Sequence, residues 1–446
     1  MIVTWRNVMR GLTLGLLAAT GAGTAFAQPI EVDVVGGISD PMPIAVPVMP
    51  TPANAPTAAG DTATLGQQLA EVIANDLKGS GLFAPRGPSG IAPVGIEQVT
   101  APDYPYWAQT GVQALVSGYV KANGDGTLTI GCYLYDVSAR NELKRDGFVV
   151  APSAWRRAAH KCADLVYARL TGEGPYFDSR VVYVSETGPK QNRLKRLAIM
   201  DQDGANHRFL TNGQSIVLTP RFAPNRQQIV YMSYLQDRPR VFVYDLSTGK
   251  QRLILDQPNM TFAPRVSPDS QYVVFSMAVG GNTDIYRVPL AGGAPQRLTS
   301  SPGIDTAPSY SPDGSRIVFE SDRGGSQQIY VMDANGGNQQ RISFGGGKYG
   351  TPVWSPRGDL IAFTKLGGGF NVGVMTPDGG GERVLTHGWQ DEGPSWSPNG
   401  RVISFFRTAQ GSGKADLWTV DLTGANERRT PTPLDGSDPG WGPLLP

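Results

Sequence analysis

The residues able to do covalent or acid-base chemistry are few and scattered. The three histidines, His160, His207 and His387, are isolated, and no pair stands at metal-ligand spacing. They read as structural residues. No serine lies in the G-x-S-x-G setting that a hydrolase nucleophile needs. The Gly-rich pieces FGGGKYG and GSGKAD lack the spacing that wraps phosphate with backbone N–H groups, and DQDGAN, DANGGN and TPDGGG lack the distal Glu of a calcium loop. No cofactor and no metal is expected. A lyase or hydrolase acting on a cell-wall fragment would have to use Asp305, Asp391 and Glu392 as acid and base, with their pKa values driven apart. Cys132 and Cys162 are either a disulfide, as exported proteins permit, or two small buried hydrophobes; the sequence leaves both open.

Composition points away from small-molecule chemistry and toward a protein partner. The 446 residues carry 39 Lys and Arg against 38 Asp and Glu, and the charges are dispersed. Nucleic acid and anionic membranes are excluded as targets, because both need clustered Lys and Arg. Arg6 and Arg10, the apolar run GLTLGLLAATGAGTAFA, and Ala25 and Ala27 before the cut make residues 1–27 a signal peptide. The mature chain then starts at Gln28 and holds no further segment long and apolar enough to span a bilayer.

Two regions follow with different patterning. Residues 28–176 read as a small α+β domain. IEVDVVGG and PIAVPVMP read as strands, and a helix carries Leu65, Leu69, Val72, Ile73 and Leu77, with Asp61 or Thr62 as its cap. A hairpin turns at Asn123 to Gly126. A last helix starts after Pro152 with Ser153 as cap and stops at Gly172. TGEGPYFDSR reads as a linker.

Beyond it, residues 177–446 repeat one phrase: TPRFAPNR, APRVSPDS, APSYSPDG, TPVWSPRG, GPSWSPNG and DPGWGP, with second prolines at 224, 268, 312, 356, 398 and 443. A period near 44 residues with about four short strands per unit is the signature of propeller blades. The fold expected is therefore an α+β domain followed by an all-β six-bladed propeller. The phase leaves a lone first strand at the C-terminus, which predicts closure by pairing it with the first blade and so removing an open sheet edge.

Strand order divides the loops between two faces. The Ser-Pro corners share one face; the connections before each Pro-aromatic phrase share the other, with longer and more varied loops, where function concentrates. That second face nominates Met260, Thr261, Phe262, Asp305, Thr306, Tyr349, Asp391 and Glu392 as loop-tip contacts for a peptide or protein.

An exported α+β domain followed by six PxWSPDG…IVFxSDRxG…IYVMDxxG…RIS units resembles the TolB family, the periplasmic component of the Tol-Pal system of Gram-negative bacteria. The resemblance covers essentially the whole mature chain. It implies a non-enzymatic periplasmic adaptor whose propeller mouth binds the peptidoglycan-associated lipoprotein Pal, with Met260 and Thr306 at matching positions. It implies that the N-terminal arm, Gln28, Pro29, Ile30, Glu31, Val32 and Asp33, binds TolA. The family supports outer-membrane integrity and envelope constriction during division, and colicins exploit it.

Overall fold

The computed structural model describes residues 30–32, 40–224 and 227–446. The signal peptide, Gln28, Pro29 and Asp33 lie outside the described residues. Of the expected strand IEVDVVGG, residues 30–32 are described and are not in a strand; Ile30 and Val32 pack against the apolar core, and the Val32 N–H donates to Leu170 O at 2.7 Å.

The N-terminal domain is a five-stranded sheet in the order Phe83–Arg86, Met42–Ala45, Ala114–Ala122, Leu128–Asp136, Asn141–Val150. The first three strands are parallel and the last two join antiparallel. Helix α1, Thr62–Gly79, starts where the Asp61 carboxylate accepts the Thr64 N–H, and its apolar stripe of Leu65, Leu69, Ile73 and Leu77 is fully buried. Gly66 lets it lie close against the chain, since a Cβ there would collide with Met49 O. Short helix α2, Tyr104–Gln109, covers the other sheet face through Trp107.

Helix α3, Trp155–Thr171, corrects the expected start. Pro152–Ala154 form a 3-10 turn that runs directly into the helix, so Ser153 is not its cap and Ala154 takes that place without a side-chain bond. Its end is as expected: Gly172 adopts the left-handed conformation that stops the helix.

Cys132, in the sheet, is disulfide-bonded to Cys162 on α3, with Cα atoms 5.8 Å apart. The bond ties helix to sheet across 30 residues of sequence. Reducing it is expected to lower stability by about 2–4 kcal/mol, read as the unfolding midpoint with and without reductant.

The stretch that reads as a linker is instead held fast. One Asp164 carboxylate accepts the N–H groups of Tyr176, Phe177 and Asp178 at 2.7, 2.8 and 3.0 Å. Its burial pushes its pKa up to about 6, partly offset by those bonds. Tyr176 and Phe177 are buried in a core that runs from the N-terminal sheet to Tyr183, Leu417 and Trp441 of the following region. The two domains share one apolar core.

The second domain has a propeller arrangement. Among the described residues four separate four-stranded sheets are present, where six were expected; the last two repeats share one eight-stranded sheet. The physical reason is a single parallel backbone pair, Phe370 with Gln390, that joins the meander starting at Lys348–Trp354 to the one starting at Gln390–Trp396. The C-terminal strand Asp435–Leu444 pairs antiparallel with Ser179–Thr187, far away in sequence.

The repeated Pro phrase has a common geometry. Thr219, Ala263, Ala307, Thr351 and Asp438, each just before the first proline, take positive φ between 47° and 52°, and Gly393 does the same at 65°. Each sits in a register break of the inner strand. The proline has no N–H for the ladder, so the chain bulges there. The preceding N–H is turned to the neighbouring repeat, as when Thr351 N donates to Glu320 Oε2 at 2.8 Å and Ala307 N to Ser276 Oγ at 3.2 Å. The phrase is the joint between repeats.

Candidate functional site

The connections that precede each inner strand place one large apolar side chain in solvent per repeat. These are Ile216, Met260, Ile304, Phe344, Trp389 and Leu434, from 36% to 73% exposed. Five of them immediately precede the first residue of an inner strand, and Phe344 lies four before its own. Phe344 is the most exposed of all at 73%. Isolated surface apolar residues need no explanation, but one in the connection before each inner strand forms a crown on one face.

The N-terminal domain rests on the opposite face. Glu173 pairs with Arg357 at 2.6 Å and with Arg401, both on the corners after Ser-Pro, while Asn399 donates to Gly174 O at 2.9 Å and Asn426 to Gly79 O at 3.1 Å. Among the described residues, the N-terminal domain therefore leaves the crown uncovered.

Of the residues nominated from sequence, Met260 belongs to the crown. Phe262 is half-buried. The others are not loop tips. Thr261 is 1% exposed and its hydroxyl donates to Pro239 O. Thr306 is buried and donates to Glu320 at 2.5 Å, so its hydroxyl is already used. Tyr349 is fully buried with its hydroxyl donating to Glu382 at 2.8 Å.

The carboxylates are corrected most sharply. Asp305 and Asp391 are fully buried at the starts of inner strands. Asp305 is paired with Arg323 at 2.7 Å, and Asp391 grips Arg407 through two bonds of 2.6 and 2.8 Å. Glu392 is half-buried, and burial together with the Asp438 charge pushes its pKa up. Asp305 and Asp391, each held on an arginine, are structural ties.

One cluster that sequence reading left as a lone structural histidine joins the domains. His160 on α3 is 2% exposed, with Nδ1 at 2.6 Å from Asp76 on α1 and Nε2 4.0 Å from Asp201. Ligand atoms of Asp76, His160 and Asp203 lie within 4.8 Å of one another. Arg156 bonds Asp203 and Arg180 approaches Asp201 at 3.8 Å, so resident cations already answer these carboxylates. The donors therefore fit an ion-pair network better than a metal. Burial would push the imidazole pKa down, but Asp76, Asp203 and Asp201 together raise it to about 9.

Comparison with known proteins fits this architecture. Residues 167–445 match the family model for the TolB beta propeller domain, and residues 30–143 match that for the TolB amino-terminal domain. The chain belongs to the TolB family. The Tol-Pal system protein TolB of Rhizorhabdus wittichii is 75% identical over 435 residues, covering 98% of this chain and 99% of that one. That of Zymomonas mobilis is 71% identical over 456 residues, covering 99% and 100%. The crystal structure of TolB from Acinetobacter baumannii is similar with a TM-score of 0.80 at 28% identity, over 93% of this chain and 100% of that one. Both domains of TolB are thus present. Among the described residues no helix is long and apolar enough to cross a membrane.

Proposed function

We propose that this TolB is a non-enzymatic periplasmic adaptor of the Tol-Pal system, exported by the signal peptide at 1–27, with domains at 28–176 and 177–446. The crown on the propeller binds the peptidoglycan-associated lipoprotein Pal. The arm from Gln28 to Asp33 binds TolA. Through these partners the protein supports outer-membrane integrity and envelope constriction during division, and the same crown is the contact open to colicins and other envelope proteins.

The observation that carries this reading is the crown: five apolar side chains each immediately before an inner strand, with Phe344 four residues before its own, turned away from the N-terminal domain, in a protein whose Asp305 and Asp391 are sealed in ion pairs. We also read the eight-stranded sheet as two blades joined by one backbone pair, which gives six, closed into a ring by the C-terminal strand. One proline from each of the six repeats lining a single cavity supports that count.

Phe344→Asp with Trp389→Asp is expected to weaken binding of a purified Pal periplasmic domain by about a hundredfold or more, since exposed aromatics dominate such contacts. Surface changes of this kind shift stability by only about 0.5 kcal/mol, so the melting curve should stay put. Unchanged titration calorimetry with the double variant would place the Pal site elsewhere.

A further inference from the structure

The face opposite the crown holds a cavity of about 600 Å³, walled by Pro224, Pro268, Pro312, Pro356, Pro398 and Pro443. Two arginines from neighbouring inner strands, Arg221 and Arg265, line it. At the same place in the other repeats stand Ser309, Val353, Ser395 and Gly440, all neutral. Ser309 and Ser395 are committed, since their hydroxyls accept the Trp354 and Trp441 N–H groups at 3.3 and 2.8 Å. Positive charge is therefore concentrated on one side of the wall.

The two guanidiniums are unequally served. Arg221 Nη1 donates to Pro220 O at 2.7 Å and to Asp438 O at 3.3 Å, and the Asp438 charge favours it. Arg265 makes no hydrogen bond or ion pair among the described residues, and the charge that acts on it is the like charge of Arg221. Burial and that repulsion both push its pKa down. A guanidinium nonetheless stays protonated in proteins, so the strain is met by bringing in a counter-charge.

We propose that this cavity is a binding site for a small oxyanion, a carboxylate or a phosphate, held between Arg221 and Arg265. The planar forks of two arginines suit an oxyanion, which can take parallel N–H bonds from each. The site is separate from the crown and does not depend on what the crown binds.

The test uses the full mature protein titrated with sodium phosphate and, separately, sodium acetate, against sodium chloride at matched ionic strength. Thermal unfolding and the NMR Nε–H signals of arginine are the readouts. A saturable rise in midpoint with movement of two arginine signals is expected, and the anion that produces it, phosphate or acetate, identifies the source. Arg265→Gln should weaken the apparent dissociation constant roughly tenfold or more, the worth of a charged hydrogen bond, while Arg265→Lys keeps part of the response. If neither anion moves the arginine signals of the unaltered protein beyond chloride, or Arg265→Gln responds like the parent, the site does not exist. The NMR arm stands on the unaltered protein and so survives a variant that fails to fold.

Discussion

Removing Asp435–Pro446 is expected to abolish cooperative unfolding and to swell the protein. The lost strand pairs with Ser179–Thr187 and carries Trp441, 8% exposed in the core shared by both domains. Trp441 also donates from its indole to Ser179 Oγ and from its backbone to Ser395 Oγ, both at 2.8 Å, so it spans the strand on each side. Beyond it, Leu445 N donates to Asp178 O at 2.9 Å, and Arg157 of the N-terminal domain donates to Pro446 O at 2.8 Å, which anchors the end to that domain. Deleting one buried Trp side chain costs about 3–5 kcal/mol, a large share of the roughly 5–15 kcal/mol that holds a domain folded. The truncation further leaves Ser179–Thr187 as a bare sheet edge, open to association. Calorimetry and the hydrodynamic radius decide the matter: a truncated chain that melts in one transition at the parental midpoint, with parental radius, would rule out closure through this strand. Gly440→Ala is a milder form of the same test, because its Cβ would stand 2.6 Å from Pro220 O, between the two ends of the proposed ring.

Much of the architecture was legible because it is periodic. The Pro phrase recurs because every inner strand needs the same bulge, and the lone DPGWGP phrase already showed that one strand must come from the C-terminus. The site was far less legible, for a reason of parity. Neighbouring residues of a strand point to opposite sides, so a shift of one position exchanges buried for exposed. Reading Asp305 as a contact missed Ile304 beside it, which is 51% exposed while Asp305 is sealed. Asp391 drew attention from Trp389, which lies just outside the strand that begins at Gln390. Asp305 and Asp391 are each paired with an arginine, Arg323 in the turn after the next strand or Arg407 on the next strand, and only the fold brings these together. One signal was available: an apolar residue four or five positions before the first proline of the phrase at 216, 260, 304, 389 and 434, where no strand pattern requires it. Strand Asn141–Val150 was missed because it lies at a sheet edge and is mostly exposed, which erases the alternation that marks a strand. The Ser153 cap failed because Pro152 opens a 3-10 turn, leaving no free first turn to cap.

The second large effect concerns His160, where sequence showed only an isolated residue on a helix. In the folded chain it faces Asp76 from α1, Asp201, Gln202 and Asp203 from the propeller, and Arg156 from its own helix, with Arg180 behind Asp201. Its folded pKa, about 9, is above the ordinary 6.5, so the folded state holds the proton more tightly than the unfolded chain. The stabilisation is therefore complete below about pH 6.5 and is lost as pH rises through about 9. Asp76→Asn should cost about 3–5 kcal/mol near neutral pH, because it leaves a buried charge without its nearest partner. It should also flatten the fall in stability between pH 6.5 and 9, which a merely steric defect would leave in place. Denaturant unfolding of parent and variant across that interval separates the two: parallel curves offset by a constant would mean that His160 is neutral in the folded protein. Because Asp76 and His160 sit on the N-terminal domain while Asp201 and Asp203 sit on the propeller, the same loss of charge loosens the joint between the domains. Proteolysis at that joint should then quicken with pH in the parent and be fast at every pH in the variant.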